Sequence, residues 1–165
     1  MADRPLSIDI CHLLLLKAND LVLLTQQDGD IPQSVPGFGL FYRDTCDLAA
    51  YVIRLHGTVP LLLMASDSEG MAAQMNLTNS SLKTPNGHAI GDHKLSVRRT
   101  FLVLDEGPVF IDIIRVRNFS SGQVTLPLSL EFATTFESMF VLRGAPVGKR
   151  GTLHAPNWDG AALRL

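Results

Sequence analysis

Leu95-Ser96-Val97-Arg98-Arg99-Thr100-Phe101-Leu102-Val103 sets Leu95, Val97, Phe101 and Val103 on one parity, with Arg99 as the single break. Successive side chains of a strand point to opposite faces, so a period of two describes a strand with one buried face. The same period recurs on both sides of this stretch. Met71, Ala73, Met75 and Leu77 alternate with Ala72, Gln74, Asn76 and Thr78. Val124, Leu126, Leu128, Leu130 and Phe132 alternate with Gln123, Thr125, Pro127, Ser129 and Glu131. Pro127 has no N–H to give to a ladder, which predicts an edge strand or a bulge there. Val59 to Ala65 is apolar on both parities, the pattern of a strand covered on both faces.

The punctuation between these runs is that of hairpins. Lys17-Ala18-Asn19-Asp20, His56-Gly57, Asp105-Glu106-Gly107-Pro108 and Ser120-Ser121-Gly122 each separate two apolar runs. Short loops rich in Gly, Asn, Asp and Ser join antiparallel strands. No stretch carries a helical stripe with a cap and a stop. The prediction is an all-β, antiparallel meander of about eight to ten strands with little helix. Two such sheets stacked face to face form a β-sandwich, with a closed barrel as the competing architecture. Two segments are not strand-like: Asp28 to Phe38 and Leu82 to Asp92 hold clustered Gly, Pro, Asp and Asn and read as long loops.

Length and composition bound the class. A chain of 165 residues, 46% hydrophobic and 18% charged, is one folded domain rather than a disordered tail. A net charge of −2 argues against nucleic acid as a partner. Residues 1–82 hold four basic and nine acidic residues and residues 83–165 hold ten and seven, spread along alternating segments as on solvated faces. Met1 to Asp9 carries Asp3, Arg4 and Asp9 with no apolar core, so a secretory signal is not expected. Apolar runs such as Leu13 to Leu16 are far too short to span a bilayer. The expectation is a cytoplasmic protein without membrane contact. Cys11 and Cys46 are too few for a disulfide scaffold and are expected to stay reduced.

No strong catalytic motif is present. His88, Asp92 and His93 cluster without metal-ligand spacing, so no metal site is expected. Asp28-Gly29-Asp30 lacks the further acidic positions of a calcium loop and reads as a tight turn. Asp44 and Asp47 are the only suggestive carboxylate pair for glycoside hydrolysis, and carboxylates at such turns ordinarily accept backbone N–H bonds. The segment holding Phe41, Tyr42, Arg43, Asp44 and Thr45 combines adjacent aromatics with an Arg-Asp-Thr triplet. Its chemistry reads first as a folded turn in which Arg43 and Asp44 find partners while Phe41 packs in the core.

Several segments in order resemble one family. Gly39-Leu40-Phe41-Tyr42-Arg43-Asp44-Thr45 is similar to its G-L-F-x-R-D-T-R signature. Leu21 to Thr25 with Asp28-Gly29-Asp30, Tyr51 to Gly57 with Pro60 to Leu63, and Leu77-Thr78-Asn79 resemble further elements. Val97 to Phe101, Val116 to Phe119, Phe136 to Gly144 and Arg150-Gly151 follow in the expected order. The family is the N-terminal domain of bacterial glycogen-debranching-enzyme-like proteins of the amylo-α-1,6-glucosidase type, and the resemblance covers residues 12–155. It implies a β-sandwich in front of an (α/α) barrel that carries the catalytic carboxylates. The chain would then be a non-catalytic accessory domain that packs on the barrel and shapes its cleft. Phe41, Tyr42, Arg43, Asp44 and Thr45 would form the interdomain or cleft-lining loop. The implied partners are the barrel and an α-glucan, with no cofactor.

On this reading residues 1–11 are an N-terminal tail and 156–165 open a further strand or a ragged tail, so the chain reads as a fragment. A surface meant for the barrel would be apolar and exposed, and would promote homo-oligomers. One departure is Cys46, where the signature has Arg. Two other functions stay open. A self-standing carbohydrate-binding module would use Tyr42, Tyr51 or Trp158 as platforms. A mutarotase-like sugar enzyme would need a His–carboxylate pair, for which His56 and Asp67 are candidates by default.

Overall fold

The structure, a computed structural model, describes residues 13–33, 35, 37–104, 106–142, 145–146, 152 and 154–164. Four strands build the first sheet: β1 (Leu13–Ala18), β2 (Leu21–Gln26), β3 (Gly39–Tyr42) and β4 (Thr45–Leu48). They pair antiparallel in chain order, β1-β2-β3-β4. A second four-stranded sheet has the order β11-β10-β7-β6, from β6 (Leu61–Ser68), β7 (Ala72–Thr78), β10 (Leu95–Leu104) and β11 (Val109–Asn118). β5 (Ala50–Leu55) pairs with β12 (Leu128–Ala133) in a two-stranded sheet. Two-residue ladders join β8 (Leu82–Lys83) to β9 (Ala89–Ile90), and β13 (Asn157–Trp158) to β14 (Leu163–Arg164). The helix α1 (Met139–Leu142) is a single turn.

The inward parities meet in one core. Leu14, Leu16, Leu21 and Leu23 from the first sheet pack with Ile53 and Leu55 of β5. They are joined there by Met75, Leu77, Val97, Phe101 and Val103 from the second sheet. Each such side chain contributes about 1.5–3 kcal/mol when fully buried. The Asp28–Asp30 turn lies against this core. Gly29 has φ +84°, and a Cβ there would come within 2.7 Å of Met75 and 2.8 Å of the Phe101 ring. Only glycine meets both the left-handed backbone and the close approach.

The all-β antiparallel class follows the alternation, but several details differ from the sequence pattern. The 59–65 run is not covered on both faces. Within β6, Leu61, Leu62, Leu63 and Met64 are 46%, 36%, 62% and 53% exposed. β6 is the edge of its sheet, with a register shift between Leu62 and Met64, and among the described residues these side chains stay exposed. The strand buried on both faces is β5, where Ala50, Tyr51, Val52 and Ile53 are all buried. β12 lies along one of its edges, and Ile31 bridges to Tyr51.

The meander is also interrupted. His56 and Gly57 make a two-residue turn with positive φ at both positions, closed by Leu55 and Thr58, but β6 then joins the other sheet. Ser120 to Gly122 likewise leads from β11 to a strand of a different sheet, so it is a crossover rather than a hairpin. The 123–132 alternation yields a strand only from Leu128, directly after Pro127, and Leu128 and Phe132 are exposed. The 82–92 segment is a loop clamped by the β8–β9 ladder.

Candidate functional site

The Arg43-Asp44 signature occupies the hairpin turn between β3 and β4. Tyr42 pairs with Thr45, and Arg43 and Asp44 both have positive φ, +46° and +66°, the signs of a type I′ turn. Such turns favour Asn-Gly, because a Cβ in the left-handed region costs about 1–2 kcal/mol. An arginine there is strain held by its surroundings. The Arg43 guanidinium lies over the Tyr42 ring at 5.2 Å and 3.6 Å from Asp20, and the ion pair is largely exposed on both sides. The segment after β12 lies along this hairpin. Met139 N–H donates to the Asp44 carbonyl at 2.7 Å, Cys46 N–H donates to the Glu137 carbonyl, and Thr45 bridges to Ser138. Phe41 is buried, Thr45 is half-buried, and Arg43 and Asp44 face solvent. Cys46 is a buried free thiol, while Cys11 lies outside the described residues.

A second constellation gathers around Arg99, whose partners lie far from it in the sequence. Arg99, on the inward parity of β10, is fully buried. Its Nη1 donates to Asp30 Oδ1 at 2.8 Å and to the Asp28 carbonyl at 3.2 Å. Its Nε donates to Asp112 Oδ2 at 3.1 Å. The guanidinium also lies 5.0 Å from the Tyr51 ring centre and 4.8 Å from that of Phe101. Tyr51 Oη donates to Asp112 Oδ2 at 2.7 Å. Asp30 further accepts from the Ile53 N–H and from Arg54 Nη1 at 3.0 Å. The cluster therefore ties the β2–β3 loop to β5, β10 and β11.

Burial pushes the Asp112 carboxyl up from the ordinary aspartate range, against the pull of Arg99. Burial and then the Asp112 charge push the Tyr51 phenol up. Asp28 is raised by burial too. Arg99 Nη2 stands 3.0 Å from Asp112 Oδ2 but off a hydrogen-bonding angle, and Asp112 Oδ1 has no hydrogen-bond partner among the described residues. The Asp112 and Tyr51 shifts have a structural cause, since the Asp112 side chain is 5% exposed and its Oδ2 is held by Arg99 and Tyr51. A buried pair of this kind fixes geometry more reliably than it adds stability. The signal in the sequence was Arg99 itself, a charge on a parity otherwise reserved for the core.

The remaining candidates do not assemble into a reaction centre. His56 stands exposed in the turn after β5, while Asp67 is exposed on β6, in another sheet. Asp44 is exposed, and Asp47 is half-buried with its carboxyl raised by that burial. Among the described residues no group of three or more His, Cys, Asp or Glu could hold a metal ion. Tyr51 is a core residue rather than a surface platform, whereas Trp158 is exposed. No described helix is long and apolar enough to cross a membrane.

A family model described as the N-terminal domain of (some) glycogen debranching enzymes matches residues 16–165. That range continues past residue 155, where the resemblance read from the sequence ends. No curated protein and no solved structure matches.

Proposed function

The chain belongs to the family of N-terminal domains of some glycogen debranching enzymes, and from that premise we propose that it is a non-catalytic accessory domain. It packs against a catalytic (α/α) barrel of a glycoside hydrolase and helps shape the barrel's cleft. The observation that carries this reading is the exposed Leu61–Met64 stretch on the edge strand β6. A long, apolar, unpaired edge is a liability in a domain that works alone, and a feature in one completed by a neighbour. The strained Arg43-Asp44 turn supports the same reading. Strain of this kind persists where a side chain has a task, and a planar guanidinium can hold a carboxylate across an interface.

The test is a titration of the chain into a debranching-type (α/α) barrel domain, followed by calorimetry, with α-glucan hydrolysis measured for each component and the mixture. The expected result is a stoichiometric complex and no hydrolysis by the chain alone. Hydrolysis of branched or linear α-glucan by the isolated chain would refute the non-catalytic role. Absence of a complex would refute the docking role.

A further inference from the structure

We propose that the cleft between the β8–β9 hairpin and the 119–125 loop binds a segment of neutral α-glucan. The cleft has a volume of about 830 Å³ and is open to solvent. That lies within the usual range for small-molecule sites, about 300–1,000 Å³.

Each wall is fixed by an asparagine. Asn79, itself buried, donates from Nδ2 to the Gly91 carbonyl at 2.8 Å and accepts at Oδ1 from the Leu95 N–H at 2.7 Å. Its carbonyl also receives the His93 N–H. Across the cleft, Asn118 Nδ2 donates to the Gly122 carbonyl at 2.7 Å, and Asn118 Oδ1 accepts from the Ser120 N–H. The walls join where Phe119 N–H donates to the Lys94 carbonyl at 2.8 Å. A site so held needs little ordering when a ligand arrives.

The lining sets the ligand class. Asn86, His88, Lys94, Ser121 and Gln123 offer both donors and acceptors, and Phe119 adds an exposed ring with the Arg117 guanidinium 4.9 Å from its centre. Hydroxyl groups on an apolar ring match that mixture, because they both donate and accept while the C–H face packs on an aromatic. Among the described residues no carboxylate lines the cleft, so the described lining offers hydroxyl-binding groups rather than a pair of carboxylates. Among the described residues Lys94 alone of the Lys and Arg lines the cleft, with Arg117 beside it on the Phe119 ring, too little for a polyanion. The lining gives a neutral oligosaccharide, and the choice of α-glucan rests on the debranching-family reading above.

The test is an NMR titration of the chain with maltoheptaose, with cellohexaose and inorganic phosphate as comparison ligands. The expected result is saturable shifts confined to residues 84–94 and 119–125. Phe119→Ala should weaken binding about tenfold. His88→Ala should weaken it as well, and Trp158→Ala, outside the cleft, should leave it unchanged. Phe119 and His88 are exposed, so both variants should fold. No saturable binding, or binding unaffected by both cleft variants, overturns the proposal. Equal binding of cellohexaose overturns the α-glucan assignment, and binding of phosphate alone overturns the neutral class. A chain that ignores maltoheptaose yet complexes the barrel refutes the cleft and leaves the accessory role standing. The reverse result refutes the accessory role alone.

Discussion

Replacing Arg99 with methionine should reveal what holds the sheets in register. Methionine fills much of the same space between Tyr51 and Phe101 but leaves Asp30 and Asp112 without their shared cation. Both carboxylates are almost fully buried, and removing one partner of a buried ion pair costs about 3–5 kcal/mol. Domains of this size have about 5–15 kcal/mol of stability in total, so Arg99→Met should sit near the limit of folding. Urea denaturation at pH 7, followed by far-ultraviolet circular dichroism, would read the loss directly.

The pH dependence gives the sign. Asp112 already has its carboxyl raised in the folded state, and removing Arg99 takes away a group that lowers it. A carboxyl raised in the folded state favours folding when protonated, and that advantage is lost as pH rises through its folded value. The deficit of Arg99→Met should therefore shrink from pH 7 towards pH 4. The triple variant with Asp30→Asn and Asp112→Asn should recover part of the deficit at pH 7 by removing the Asp112 charge, which has lost its cation, and the Asp30 charge, which keeps Arg54 alone. An Arg99→Met midpoint corresponding to a loss under about 1 kcal/mol, or a loss that grows on acidification, would refute this account of the cluster.

Three further outcomes follow from the structure. Gly29→Ala should lose about 2–4 kcal/mol in thermal or urea unfolding, because positive φ and the Phe101 ring both oppose a Cβ; a neutral effect would contradict the close packing. Arg43→Gly should raise the stability of the isolated chain by about 0.5–1 kcal/mol while weakening its complex with the barrel, and an unchanged or lowered unfolding midpoint would show the turn to be unstrained. By light scattering, the chain should self-associate at high concentration and Leu63→Lys should shift it towards monomer; a clean monomer before substitution would count against an adhesive β6 edge.

The fold class was legible because alternation is a local property. The parities of 71–77 and 95–103 translate directly into β7 and β10 facing one core. Partner choice was less legible. The β5–β12 ladder joins residues more than seventy positions apart, and nothing local distinguishes it from a hairpin between β5 and the run after His56-Gly57. The 59–65 run departs from its pattern for a physical reason: apolar side chains on both parities do not by themselves cover a strand, and β6 lies at a sheet edge with Leu61 to Met64 exposed among the described residues. Arg99 was visible as a break in parity, but its partners Asp30 and Asp112 lie 69 and 13 residues away, so the cluster emerges only once the loop after β2 folds over β10. The Arg43-Asp44 turn could be located from sequence, whereas its left-handed strain could not.

Hydrogen exchange of the chain, alone and with a debranching-type (α/α) barrel present, tests the central claim most directly. The accessory-domain account predicts strong protection of residues 61–68 and of the 42–45 turn on complex formation, with core strands β7 and β10 unchanged. Unaltered exchange over 61–68 in a formed complex would contradict it.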